Sequence, residues 1–168
     1  MNQGPIIVTA TFGDGDNGWI QALRQAHFPV ELNRVPAHLT LFHQLPPSLE
    51  RELGQRLAGH AAMPAPRASV GGIINLGRGT ALAIRSEALE DIRADLANSL
   101  HGLLTPQDQA PWRPHITIQN KVEPSEARKL QQVLAGSYEA RSIDIKGLAM
   151  WRYCDGPWKS LREYRFRG

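Results

Sequence analysis

Apolar and polar positions along this chain alternate in two registers, and the switches between them mark out its elements. Residues 5–12 (PIIVTATF) are rich in β-branched side chains and read as a strand. The GDGDNG cluster at 13–18 reads as a turn, with Asp16 or Asn17 available to cap a helix whose Trp19, Ile20, Leu23 and Ala26 share a face. Pro29 and Pro36 interrupt the chain, and 38–44 (HLTLFHQ) then alternates as a half-buried strand does. Beyond Pro46-Pro47, Ser48 caps a helix carrying Leu49, Leu53, Leu57 and Ala61, and 63–66 is a linker. Two β-rich runs, 68–76 and 80–85, meet at Gly77-Arg78-Gly79 as a hairpin. Ser86 caps the strongest helical stripe, Leu89, Ile92, Leu96, Leu100 and Leu103, with Glu87 and Glu90 in its first turn. The proline-rich 105–114 is a loop, 115–119 (HITIQ) a strand, and Pro124-Ser125 opens a helix ending near Gly136. Strands over 138–153 and 161–166, joined around Asp155-Gly156-Pro157, close the chain.

Alternation of strands and helices would suit a doubly wound parallel sheet, but no strand-to-helix turn carries a glycine-rich phosphate loop. The strands 38–44 and 115–119 are also polar on one face, where buried parallel strands are apolar on both. The pattern therefore predicts an α+β fold with helices on one side of the sheets and an open cleft on the other.

Composition narrows the class without changing that picture. The 168 residues, 42% hydrophobic and 21% charged, suit one globular domain spanning 1–168 and argue against disorder or a coiled coil. No apolar run approaches a membrane span, no leader is evident, and the lone Cys154 forms no internal disulfide. The expectation is a cytoplasmic protein with no membrane partner, working as a monomer. The net charge of +3 is concentrated at the end: from Arg141 onward seven Lys/Arg face three acids. Such a segment attracts phosphates or serves as an ordinary solvated face.

The chemistry lies in an internal echo. Pro-Ala-His-Leu-Thr-Leu at 36–41 returns as Arg-Pro-His-Ile-Thr-Ile at 113–118, each copy on a predicted strand and each followed by a helix. Strand periodicity points His38 and Thr40 to one face and Leu39 and Leu41 to the other; His115 and Thr117 stand likewise against Ile116 and Ile118. If the half-chains pack as quasi-symmetric lobes, both pairs face one cleft. Metal-free cleavage of a phosphodiester wants this set: two imidazoles in complementary protonation states as acid and base, and two hydroxyls for the non-bridging oxygens. Chance repetition of strand text is the bland alternative. Zinc is the competing one, but cysteine and acidic ligands do not cluster nearby, and His-x-Thr is not a zinc spacing.

HLTL at 38–41 and HITI at 115–118, with the flanking QNKV and the closing GPWKSLREYRF, resemble the two-histidine (2H) phosphoesterases, in particular the 2′-5′ RNA ligase-like proteins and cyclic phosphodiesterases. The resemblance runs over nearly the whole chain. It implies a bilobal α+β fold, catalysis without metal or cofactor, and as partner an RNA or nucleotide bearing a 2′,3′-cyclic phosphate. Carried over by position, it makes His38 and His115 the acid/base pair and Thr40 and Thr117 the phosphate holders. The expected reaction is hydrolysis to a 2′-phosphate, with His115 activating water and His38 protonating the leaving oxygen, a division that symmetry allows to be reversed. Alternatives are ATP-independent 2′-5′ ligation at the same site and a non-catalytic RNA- or nucleotide-binding module.

Five further residues are candidate substrate contacts. His43 and Asn120 each lie five positions after a motif histidine; His43 is the candidate, although strand parity turns it to the opposite face. Lys121 and Arg152 could meet phosphate, and Tyr153 and Phe12 could stack on a base. Trp151 shares a strand face with Tyr153 and reads as core.

Overall fold

A computed structural model of the protein describes residues 3–168. Seven strands form one antiparallel sheet: β1 (Ile6–Phe12), β2 (Leu39–Leu45), β3 (Arg67–Asn75), β4 (Thr80–Arg85), β5 (His115–Gln119), β6 (Ser142–Arg152) and β7 (Lys159–Arg165). Five helices accompany them: α1 (Asp14–His27), α2 (Glu50–Ala61), α3 (Glu87–Ser99), the single turn α4 (Pro106–Gln109) and α5 (Pro124–Leu134). The strand path is β2-β1-β6-β3-β4-β5, with β7 also on β6. The mixed α+β class expected from the alternation is observed. In place of separate lobes there are two halves of one sheet, joined where β3 pairs with the start of β6.

The halves repeat one arrangement. An inner strand leads into a helix and returns as an outer strand: β1-α1-β2 in one, β4-α3-β5 in the other. The outer strands, at opposite ends of the path, are the two that carry the repeated motif, and they approach each other across the molecule. Each inward face joins one continuous apolar core that includes Leu39, Leu41, Ile116 and Ile118.

Local departures from the sequence pattern include 138–141, read as strand but lying before β6, and two further segments. The GDGDNG stretch is the first turn of α1, not a turn before it. Asp14 and Asp16 sit at the positive helix end, and Asp16 accepts hydrogen bonds from the Trp19 indole (2.8 Å) and the Asp144 backbone N–H (2.7 Å), tying α1 to β6. The 105–114 loop contains α4, capped by the Thr105 hydroxyl. Ser86 Oγ accepts from the Leu89 N–H at the start of α3, as the residues indicate, whereas Ser48, read as the cap of α2, lies in a 3-10 turn before it and the cap position falls to Leu49 without a side-chain bond.

Both outer strands also carry an irregularity at the same place. Against β1, Val8 and Thr9 face Phe42 and Thr40; against β4, Thr80 and Ala81 face Gln119 and Thr117. One extra residue is thereby inserted in each outer strand, at Leu41–Phe42 and at Ile118–Gln119, and in both strands the two consecutive residues are buried. Gly79 permits the second bulge: a Cβ there would lie 2.2 Å from the Gln119 carbonyl oxygen and 2.8 Å from Asn120 Cα. Gly79→Ala is therefore expected to cost about 1–3 kcal/mol by overpacking against backbone, seen as a lower urea midpoint at unchanged slope. A midpoint equal to wild type would show that β4 and β5 part freely at this end.

Candidate active site

The motif strands present their polar faces to a shared cleft. His38, Thr40, His115 and Thr117 line one cavity of about 130 Å³, together with His43, Ile7 and Trp158. His38 Nδ1 lies 2.8 Å from the Pro36 carbonyl oxygen and His115 Nδ1 lies 2.7 Å from that of Arg113. A carbonyl only accepts, so each ring carries its proton on Nδ1 and keeps Nε2 for the cleft. The same i to i−2 bond sets both rings, because each histidine follows an extended two-residue lead-in containing proline. Among the described residues neither motif threonine hydroxyl is engaged by protein.

The bulge after each motif decides what else reaches the cleft. Without it, His43 would face away from His38; with it, His43 turns back to the polar side and lines the cavity. Strand parity, which alone would turn His43 to the opposite face, is reversed here by the extra residue. His43 Nδ1 donates to Asp108 Oδ1 at 3.0 Å, and the same carboxylate accepts from the backbone N–H groups of His43 and Gln44. Burial would raise the Asp108 pKa, but the side-chain and backbone hydrogen bonds from His43 and Gln44 outweigh it, and the net shift is downward. His43 thus has a fixed tautomer with Nε2 outward.

Both motif strands are edges, and side chains occupy the outer backbone groups that a further strand would have paired. Trp112 Nε1 donates to the Thr40 carbonyl (3.0 Å), and Arg93 Nε to that of Leu41 (3.0 Å). Two successive carbonyls open to the same side are what a bulge produces. Arg93, from α3, also donates to the Asp108 carbonyl (2.7 Å), and its guanidinium lies 4.1 Å from the Phe42 ring centroid. On the other edge Arg24, from α1, donates to the Thr117 carbonyl (2.6 Å), the Val35 carbonyl (3.0 Å) and Asn33 Oδ1 (3.0 and 3.2 Å). Each arginine thus comes from the helix of one half and holds the motif strand of the other. Both are nearly inaccessible, at 3% for Arg24 and 8% for Arg93. Nothing in the sequence distinguishes these two from the other thirteen arginines; helical burial of a charged residue is the signal, and it needs the fold.

Of the remaining candidates, the structure places none among the lining of the histidine cavity. The Arg152 guanidinium is taken by Glu50 (2.5 Å) and the Gly4 carbonyl (2.8 Å), so it ties the N-terminal segment to α2 and is not open to phosphate. Lys121 is exposed in a left-handed turn (φ 59°) beyond the end of β5. Tyr153 is exposed, with its hydroxyl donating to Asp155 at 3.2 Å. Phe12 is a core residue, 3% exposed, with an edge on a neighbouring pocket. Trp151, read as core, is half-buried, and Trp158 packs on the His38 ring with centroids 4.7 Å apart. Among the described residues no group of three or more His, Cys, Asp and Glu side chains could hold a metal ion, and no helix is long and apolar enough to cross a membrane.

Desolvation lowers the His38 pKa to about 4, assisted by the nearby positive charges of Arg24, His43 and His115 and opposed by the bond to Pro36. The unfolded chain titrates near the ordinary value of 6.5, so from there down to about 4 it takes up a proton that the folded chain refuses. Stability is therefore full above pH 6.5, falls as the pH drops through this window, and has lost the whole increment below about 4. In urea unfolding, wild type is expected to lose more stability than His38→Gln between pH 7 and 4.5. Equal losses would place the ring in an open, water-like setting.

Comparison with known proteins bears on the family and the fold. The family model of the 2′-5′ RNA ligase superfamily matches residues 12–157. No curated protein matches the sequence. Among solved structures, similarity extends to TT0787 of Thermus thermophilus (17% identical, TM-score 0.62, 98% of each chain covered). It also extends to E. coli LigT complexed with NADP+ (18%, TM-score 0.65, 98% of this chain and 99% of that one) and complexed with 3′-AMP (16%, TM-score 0.62, 99% and 100%). At these identities the likeness speaks for the fold.

Proposed function

This chain belongs to the 2′-5′ RNA ligase superfamily of two-histidine phosphoesterases, and from that premise we propose that it is a metal-independent phosphodiesterase opening 2′,3′-cyclic phosphates at RNA ends or on small nucleotides. The observation that carries the reading is the matched pair of imidazoles, each fixed through Nδ1 and offering Nε2 to one cleft beside two threonine hydroxyls. A phosphoryl group between them meets an acid on one side and a base on the other, with hydroxyl donors for its non-bridging oxygens. His43, held by Asp108, is proposed as a further contact to the substrate.

The roles follow from what lies beside each ring. His38 borders the neighbouring pocket that Trp151 and Trp158 wall, so the nucleoside attached to the phosphate extends on its side. The ribose 3′ oxygen then leaves toward His38, and water approaches from the side of His115. Before substrate binds, His38 is neutral at pH 7. An anionic phosphodiester replaces lost solvation with a counter-charge, raises the His38 pKa and brings its proton in with the substrate. His115 Nε2 takes a proton from water as the new P–O bond forms; His38 gives its proton to the 3′ oxygen as the old bond breaks, leaving a 2′-phosphate. Ligation would be the same step with a ribose 5′-hydroxyl in place of water: its proton goes to His115, the bond to the 3′ oxygen breaks and a 2′-5′ linkage forms, but water is the more abundant nucleophile.

Three outcomes are expected. The limb of kcat/KM that reports free His38, near pH 4, should move upward in kcat, which reports the bound state. A limb at the same pH in both profiles would show that the phosphodiester supplies His38 no counter-charge. Thr40→Val and Thr117→Val should each lower kcat by roughly 10–1,000-fold with little loss of stability; wild-type rates in both would reduce these threonines to strand-formers. EDTA should leave turnover of a 2′,3′-cyclic nucleotide intact, and chelator-sensitive turnover would end the two-histidine mechanism.

A further inference from the structure

A second pocket, of about 150 Å³, opens off the histidine cleft and shares His38 and Trp158 with it. Its walls are aromatic. Trp151 is fixed by its indole N–H donating to Thr9 Oγ1 (2.9 Å), and the Trp158 ring stands 6.2 Å from it at 58°, with Phe12 also lining the pocket. Its polar lining comprises Thr9, Thr11, Asn17, His38, Lys146 and Glu163. Thr11 Oγ1 is buried with no hydrogen-bond partner, and Lys146 Nζ faces Glu163 Oε1 at 3.7 Å.

The occupant must answer each of these features. Lys146 at 3.7 Å and the largely exposed Arg165 at 4.0 Å both lie on Glu163 Oε1, so a carboxylate and an ammonium stand side by side at the pocket, and the group that enters must offer donors to the one and an acceptor to the other. A purely aliphatic group would cover the Lys146 ammonium and the Glu163 carboxylate without pairing them, which is costly. Aromatic walls with donors and acceptors at the far end suit a flat heteroaromatic ring, held by its faces and read at its edge. A carboxylate beside an ammonium complements two adjacent N–H donors followed by a carbonyl. Among the four RNA bases, guanine presents that sequence through N1–H, N2–H₂ and O6.

We propose that this pocket holds the nucleobase of the nucleotide whose phosphate lies between His38 and His115, and that Glu163 with Lys146 favours guanine. The proposal rests on the phosphodiesterase reading above, and adds to it a choice of substrate. Its test pairs turnover with binding: kcat/KM for the four 2′,3′-cyclic nucleoside monophosphates, and calorimetric affinity for the four nucleoside 2′-monophosphates. Inorganic phosphate, which carries no base to place in the pocket, probes the cleft. The guanine compound is expected to lead by roughly 10–100-fold, the worth of a good paired edge contact. Glu163→Gln and, independently, Lys146→Met should collapse that lead through KM while phosphate still binds. Turnover with equal kcat/KM for all four bases, or a lead that survives both substitutions, would overturn the base pocket and leave the hydrolase standing. No turnover with a retained preference for 2′-GMP would overturn the hydrolase and support the pocket.

Discussion

Two outermost strands of one sheet must face each other at a fixed distance with no hydrogen bond between them. Everything at the cleft depends on how that gap is held. An unpaired strand edge tends to twist away or to find another strand, and either would separate His38 from His115. Here the edges are closed by side chains: Arg93, Trp112 and Asp108 on β2, Arg24 on β5. The arginines suit the task because one planar guanidinium serves several carbonyls at once and stays charged when buried. Each is also anchored in the opposite half, so the two halves set each other's motif in place.

The bulges complete this scheme. A regular strand shows every second side chain to the cleft, which would give each motif a histidine and a threonine and then turn the next polar residue outward. The extra residue at Leu41–Phe42 buries two neighbours in the core and returns His43 to the polar side, where Asp108 orients it. The matching bulge at Ile118–Gln119 does the same to backbone direction, but Gln119 is turned inward to accept from the Thr80 hydroxyl (2.8 Å). Equivalent backbone with different side chains makes the cleft unequal: three histidines line it, two of them from the β2 side.

Much of this was legible in the residues. The paired His-x-Thr text located both motif strands, β5 to its very limits, and Ser86 marked the start of α3 because a cap is a local interaction. What was not legible is what depends on a distant partner. The bulge that turns His43 around exists because β1 pairs with β2 out of step, and no property of HLTLFHQ alone announces it. Arg24 and Arg152 look alike as text, yet one spans the cleft's edge and the other pairs with Glu50; the difference lies 93 and 102 residues away in sequence. The glycines of GDGDNG suggested a turn, and tertiary contacts from Asp16 to β6 overrode that weak local preference.

The exchange of arginines between halves has a bearing on how the protein comes to be active. Arg24 is made early in synthesis, but the carbonyl it holds, on Thr117, is made 93 residues later. Contacts of such long sequence separation are slow to form, since loop closure must precede the gain. Until then β2 is an open template edge bearing half of the motif groups. No cleft therefore exists until both motif strands are made and the two arginines have crossed between the halves.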